Sequence, residues 1–154
     1  MSKFIKSLGN HVNFIGNDGK EYTLHPLSLV EWGLFIKWVQ FKPYREARAA
    51  ELPKDMCDEI YEKCSTGKVK EETEEGVFEE FPITIGSTVV RESLFSLEGV
   101  GKFIELSLWT AHPELKYQPI GHILDFKKVT EIQEDVMILN GLIDKEVEDE
   151  EGNL

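Results

Sequence analysis

The sequence predicts a mainly α-helical fold with a short N-terminal β-hairpin, within a single compact domain. Three patterns predict it: two short strand-like runs flank a turn, longer stretches repeat apolar side chains at helical spacing, and two glutamate-rich segments interrupt or follow them. We expect one domain over residues 1–143, long enough to bury a core. Within it we expect the hairpin at about 11–26, a helical bundle at about 28–143 and an acidic loop at about 68–80. Residues 144–154 are expected to form an acidic, disordered tail.

The predicted hairpin begins with the run "VNFI" and ends with "EYTLHPL", and the segment "GNDGK" joins them. Residues 17–19 are of types that accept the positive φ angles of tight hairpin turns. In the second run Tyr22 and Leu24 would share one face, because side chains alternate along a strand. Pro26 has no N–H to donate, so strand pairing should end there.

The first predicted helix starts after Ser28, and Glu31 follows at the spacing of a capping box. Its sequence, "LVEWGLFIKWVQF", is apolar around most of its circumference, and Pro43 should end it. A helix that is apolar this far round either sits in the core or partly faces a partner. We expect part of its aromatic stripe to be core and part to be contact. The candidate protein-binding residues are Trp32, Phe35, Trp38 and Phe41.

Two cysteines lie on a later predicted helix, "DMCDEIYEKCSTG", which follows Pro53. Its apolar positions repeat at helical spacing, and Cys57 and Cys64 belong to that face. Their Cα atoms would lie roughly 10 Å apart at the helical rise per residue, which is too far for a disulfide. We expect two reduced thiols packed as small core residues, which fits a cytosolic chain.

The segment from Glu71 to Glu80 contains six glutamates and is predicted to be an exposed loop between two helical halves. Phe78 and Phe81 lie in or beside this loop. Aromatic side chains in such an acidic setting are expected to dock on something.

A second long helix is predicted after Ser96, a candidate N-cap. Pro113 restricts His112 to conformations outside the α region, so this helix should end near Ala111. His112 is then expected to cap or pack at the helix end, because the sequence marks no convergent groups that would make it a ligand or a base. The last predicted helix buries one face, formed by Ile132, Val136, Leu139 and Ile143.

The charge balance is strongly acidic. The chain carries 29 acidic and 17 basic residues, for a formal net charge of −12 and a pI near 4.8. Such a surface repels phosphate backbones and anionic headgroups, so neither nucleic acid nor membrane is an expected partner. No window approaches the apolar length that spans a bilayer, and we expect no signal peptide.

The sequence marks no catalytic site, and we expect a protein that is not an enzyme. It has no Cys-x-x-Cys or His-Glu-x-x-His spacing for zinc and no Gly-x-Ser-x-Gly nucleophile motif. The run "GVGK" at residues 99–102 lacks the glycine spacing of a phosphate loop and the Ser or Thr that follows it. We therefore expect no metal and no cofactor.

The order of three short motifs resembles that of tail assembly chaperones of long-tailed bacteriophages. A Leu-x-Pro-Leu-Ser step at residues 24–28 leads into the aromatic helix. A Ser-Leu-Glu-Gly start at 96–99 opens the later helix, and a His-Pro-Glu exit at 112–114 ends it. The match spans roughly residues 11–126 in order, and an acidic tail follows. These motifs are structural and not catalytic, and the acidic insert at 71–80 departs from the family pattern.

The resemblance implies a non-enzymatic role. Chaperones of this family bind the long, aggregation-prone tape measure protein, recruit tail tube subunits around it and are absent from the finished virion. It thus implies tape measure protein and tail tube protein as partners and the bacterial host cytoplasm as location, and it leaves self-association open. Many members also have a longer, frameshifted form, whose junction would fall in "KEVEDEEGNL". The aromatic stripe would then form the exposed part of a groove for an apolar helix.

Two other functions compete with this one. An acidic inhibitor that mimics DNA could block a nuclease or DNA-binding protein, although 12 of the 29 acids sit in one loop and one tail. Salt-sensitive binding to a basic nuclease would favour mimicry, because long-range attraction is screened. The other is a small enzyme whose site forms only in three dimensions, and turnover abolished by His112→Ala would favour it.

Overall fold

The computed structural model describes residues 6–7 and 11–143, and within them the fold is mainly α with a short N-terminal hairpin, as predicted. The predicted tail, 144–154, lies outside the described residues. The strands are β1 (Lys6–Ser7), β2 (Val12–Ile15), β3 (Glu21–Leu24), β4 (Lys68–Glu72) and β5 (Phe78–Pro82). The helices are α1 (Leu29–Gln40), α2 (Lys42–Ala49), α3 (Lys54–Ser65), α4 (Thr88–Leu94), α5 (Leu97–Leu108) and α6 (Phe126–Leu139).

The described residues group into two compact units. The first unit contains the chain up to Ser28 and from Val100 onwards, and the second unit is Leu29–Gly99. The boundary therefore falls within the first turn of α5. The organisation of 1–143 as a single domain stays a prediction.

The first unit is built on the predicted hairpin, to which β1 adds a third antiparallel strand. Gly19 has a φ of 83° in the turn, a value that suits glycine. The alternation of side chains along β3 buries Tyr22 and Leu24 and leaves Glu21 exposed, as predicted. The largest fully buried side chains of this unit are Phe14, Leu24, Phe103, Ile104, Leu106, Leu108, Ile123, Ile132 and Met137.

The outer edge of β3 is closed by helix ends. The N–H groups of Thr23, His25 and Leu27 point away from β2, because alternate residues of an antiparallel strand face its partner. The Thr23 N–H donates to His112 Nε2 at 2.9 Å, and the His25 N–H donates to the Ser107 carbonyl at 3.1 Å. The Leu27 N–H donates to Asn140 Oδ1, just past α6, at 2.8 Å. Each of these three backbone N–H groups therefore has an acceptor that lies in α5, in the turn after α5 or directly after α6.

Two predicted details of the long helices are corrected by the structure. Helix α5 ends at Leu108, one turn before the predicted end near Ala111. The Trp109 N–H bonds to the Leu106 carbonyl, and this tighter bond begins the turn that leads to Pro113. In α6, Ile132 and Val136 are buried as predicted, whereas Leu139 is only half-buried.

Side-chain contacts link α1, α2 and α3 within the second unit. Phe41 and Tyr44 both lie against Tyr61 of α3, with ring centroids 5.2 and 5.0 Å away. The Gln40 side chain donates to the Cys64 carbonyl at 2.7 Å. Cys57 and Cys64 are buried free cysteines, as predicted.

The prediction of an acidic loop at 68–80 is wrong in its local structure. The segment is exposed, but it forms the antiparallel hairpin β4–β5, with Val69 opposite Phe81 and Glu71 opposite Glu79. Gly76 adopts a φ of 81° in the connecting turn. Glutamate is depleted in strands, so the composition gave no sign of the pairing that forms around this turn.

The turn of the first hairpin carries a side-chain pair that depends on pH. Tyr22 Oη donates to Asp18 Oδ2. Burial and the neighbouring Asp18 raise the pKa of Tyr22 from 10.0 to about 12. The same hydrogen bond lowers the pKa of Asp18 below its usual 3.8. The pair therefore favours the folded state when the Tyr22 hydroxyl is neutral and Asp18 is ionised.

Replacing Tyr22 by Phe should lower the free energy of unfolding at neutral pH by removing this bond. The Tyr22 contribution is fully present below pH 10 and is lost as the pH rises through about 12. The Asp18 contribution is present above pH 3.8 and is lost as the pH falls through its lowered pKa. Urea unfolding of both proteins across pH should show a constant difference between those limits that shrinks at each end. A difference that does not change with pH would contradict the assignment.

Candidate protein-binding surface

The described residues bear on the kinds of site that the sequence leaves open. No group of three or more His, Cys, Asp or Glu side chains there could hold a metal ion. Two open depressions, of about 430 and 510 Å³, lie on the second unit. Two of the basic side chains in the larger one have partners: Arg48 donates to the Tyr44 hydroxyl, and Lys54 contacts Asp58, both at 2.9 Å. None of the described helices combines the length and the apolar character needed to cross a bilayer.

His112 has a structural contact, in agreement with the expectation that it packs at the helix end. Its Nε2 accepts the Thr23 N–H, and its ring lies edge-on to Tyr22 at 5.1 Å. An imidazole nitrogen that accepts a hydrogen bond carries no proton. The same nitrogen is therefore occupied and is not presented to a substrate.

The Ser-Leu-Glu-Gly start of α5 also has a structural explanation. Ser96 Oγ accepts the Gly99 N–H at 3.0 Å, which confirms the predicted N-cap. A Cβ on Gly99 would lie 1.7 Å from the Ser93 carbonyl oxygen, so only glycine fits there. The motif therefore fixes how the chain passes from α4 into α5.

The four predicted contact residues, three in α1 and Phe41 directly after it, do not share one environment. Phe35 is fully buried, so it is a core residue and not an exposed part of a groove. Trp32 and Trp38 are half-buried and lie against Phe35, with centroid distances of 6.2 and 5.9 Å. The Arg45 guanidinium lies 4.0 Å from the Trp38 ring and also donates to the Trp38 carbonyl. Phe41 packs on Tyr61. A binding role for Trp32, Trp38 and Phe41 stays a prediction.

The solvent face of α1 is apolar as well, and sequence reasoning did not select it. The helix advances roughly 100° per residue, which brings Leu29, Val30, Gly33 and Lys37 to one side, and all four are exposed. Leu29 and Val30 are 90% and 74% exposed. The half-buried residues at the margins of this side are Leu34 and Ile36, also apolar. We call the set Leu29, Val30, Gly33, Leu34 and Ile36 the outer face of α1.

Sequence periodicity could not have identified this outer face. A helix with apolar residues on all sides has no polar side to mark which direction is solvent. The one usable signal was Gly33, because glycine in a helix interior costs stability unless something requires it. Charged residues on this side are limited to Lys37.

No protein-family model matches the chain, and no curated protein or solved structure is significantly similar to it. The outer face is thus identified from its geometry and exposure alone. The likeness to tail assembly chaperones stays an expectation from three short motifs.

Replacing His112 by Ala should destabilise the fold, because it leaves the part-buried N–H of Thr23, at the edge of β3, without a partner. Such a loss costs about 1–3 kcal/mol. His112→Gln is the matched control, since its amide oxygen reaches the position of Nε2 and restores an acceptor. Thermal and urea unfolding should therefore place His112→Gln close to the wild type and His112→Ala well below it. Equal losses in both variants would show that the acceptor is not what matters.

Proposed function

We propose that this protein is a non-enzymatic binding protein of the tail assembly chaperone type, and that the outer face of α1 binds an apolar helical segment of a partner. The observation that carries the proposal is the exposure of Leu29 and Val30, 90% and 74%, on a helix whose opposite side is core. Exposed apolar surface that is contiguous along a helix is a common feature of interaction sites. The resemblance supplies the expected partner, the tape measure protein, with tail tube protein recruited later.

Gly33 supports a helical partner in particular. A Cβ at Gly33 would meet nothing within 4 Å, so packing within the chain does not require glycine there. Glycine in a helix interior costs roughly 0.5–1 kcal/mol relative to alanine. A partner helix that approaches the backbone of α1 closely would account for that cost, because only glycine leaves the space open.

The acidic surface is compatible with this role. A net charge of −12 keeps the protein soluble while α1 presents apolar side chains to water. An aggregation-prone partner bound to such a surface would gain the same solubility. Turnover and a cofactor have no part in this function, and self-association through the outer face would compete with partner binding.

The acidic inhibitor remains the second candidate, and one observation favours it. The six glutamates of 71–80 lie in or beside a folded hairpin and not in the loop that the sequence predicts. Mimicry of DNA needs carboxylates at fixed positions, and the hairpin supplies some. Binding to a basic nuclease would be lost at high salt, whereas burial of apolar surface tolerates salt.

Replacing Leu29 by Glu should abolish partner binding and leave folding intact. Leu29 is the first residue of α1, where an acidic side chain is favoured by the helix dipole. Phe126→Glu is the matched control, since Phe126 is the first residue of α6 and is 70% exposed. Each variant would be co-expressed with the tape measure protein of the same genome, followed by a solubility assay and co-purification. We expect the wild type and Phe126→Glu to keep the partner soluble and Leu29→Glu to lose it.

An insoluble tape measure protein with nothing co-eluting from the wild type would overturn the proposed function. The acidic inhibitor would then become the leading candidate. Equal loss of binding in the Leu29 and Phe126 variants would mean that the outer face is not the binding surface.

Gly33→Ala should stabilise the free protein and weaken partner binding. The matched control is Gly101→Ala, because Gly101 also lies within a helix and a Cβ there also meets nothing within 4 Å. Both variants should raise the free energy of unfolding by roughly 0.5–1 kcal/mol. Binding, measured by calorimetry with a soluble tape measure segment, should fall only for Gly33→Ala. If both variants bind as the wild type does, close approach at Gly33 has no role.

A further inference from the structure

The β4–β5 hairpin projects apolar side chains and contacts few other elements of the second unit. All five residues of β5 are exposed, and Phe78 and Phe81 are 66% and 40% exposed. The strands pack mainly on each other. One contact with α4 is made by Glu71 Oε2, which accepts the Thr88 N–H at 2.8 Å. An isolated two-stranded hairpin is marginally stable, and a third strand would stabilise it.

The hydrogen-bonding register shows which backbone groups face outwards. The Thr73 N–H donates to the Val77 carbonyl at 2.7 Å at the turn. At the base, the Ile83 N–H donates to the Gly67 carbonyl at 2.8 Å. Bonded and non-bonded pairs alternate along an antiparallel ladder. Between these two ends, Glu79 and Phe81 of β5 therefore bond to β4.

The remaining residues of β5 direct their backbone groups to the free edge. Phe78 and Glu80 have outward N–H and C=O groups with no partner among the described residues. Pro82 lies at the next outward position, where it lacks an N–H, as is usual for proline on an edge. The edge of β5 thus offers two donors and three acceptors to another strand.

The charges on the hairpin show what kind of strand fits. Among the described residues, none of the ion pairs, which join a nitrogen and an oxygen no more than 4.0 Å apart, includes any of the six glutamates of the hairpin. Glu79 lies directly opposite Glu71, and like charges in that position repel, whereas Glu80 lies opposite Lys70. A second copy of this edge would add further glutamates, so self-pairing is disfavoured. A basic strand would relieve the repulsion.

We propose that the β4–β5 hairpin is a docking arm for an extended, basic segment of a partner protein, which adds as a third strand along β5. Backbone bonds would come from Phe78 and Glu80, as in other cases of strand addition. Side chains alternate between faces, so the added strand meets an ordered series of Phe81, Glu80, Glu79 and Phe78. The matching sequence is apolar, basic, basic, apolar.

This surface is separate from the outer face of α1 and takes a different chemistry. The two proposals can therefore fail independently. A Leu29→Glu variant should bind the basic strand as the wild type does. A hairpin variant should keep its apolar partner.

The test uses the full chain and a synthetic capped peptide, Thr-Val-Lys-Arg-Val-Thr, titrated into the isotope-labelled protein at low salt. Amide shifts should concentrate in residues 68–82, and the amides of Phe78 and Glu80 should become protected from hydrogen exchange. Charge reversal by Glu79→Lys with Glu80→Lys should weaken binding roughly tenfold or more. The matched control is Glu62→Lys with Glu134→Lys, which changes the net charge equally at exposed helical positions.

Two further peptides separate strand addition from simple attraction between charges. A permuted peptide, Thr-Lys-Val-Val-Arg-Thr, has the same composition and should bind at least several-fold more weakly. A peptide methylated on the backbone nitrogens that would face β5 keeps its charges and should not bind. Equal binding of either peptide, an equal effect of the control variant, shifts outside 68–82 or no binding at all would each overturn the proposal.

Discussion

The first unit depends on the closure of the outer edge of β3. A strand at the edge of a sheet presents a row of unpaired N–H and C=O groups, which is costly when buried and open to wrong pairing when exposed. Here the donors at Thr23, His25 and Leu27 all bond to groups in or just past α5 and α6. Two of the short motifs that suggested a family supply part of this closure, through His25, Leu27 and His112.

The second hairpin shows the opposite arrangement. The edge of β5 has the same alternation of inward and outward groups, yet no helix end covers Phe78 or Glu80 among the described residues. Its glutamates discourage pairing with a like edge, which is one way in which proteins protect exposed strands. That protection is selective, because a basic strand is attracted by the same charges. One chain thus contains a sheet edge closed by its own helices and another that remains available.

Sequence patterns predicted the parts of the fold that are set locally. The turn at Gly19, the cap at Ser96 and the buried face with Cys57 and Cys64 each depend on residues within a few positions. His112 shows the limit, because its partner, Thr23, lies 89 residues away and no spacing rule connects them. The β4–β5 hairpin was missed because glutamate-rich runs indicate loops on average. Here the turn at Gly76, with its φ of 81°, accompanies strand pairing in spite of that preference.

Helix α1 explains why the candidate site was only half predicted. An all-round apolar helix shows that more apolar surface exists than one core can cover, but not which part remains outside. The large aromatic side chains gain most from burial, so Phe35 lies in the core with Trp32 and Trp38 against it. The smaller Leu29 and Val30 stay in water, each at a cost of roughly 1.5–3 kcal/mol relative to full burial. A chain that carries this cost, together with a glycine that its own packing does not need, has its apolar surface placed where a second protein can bury it.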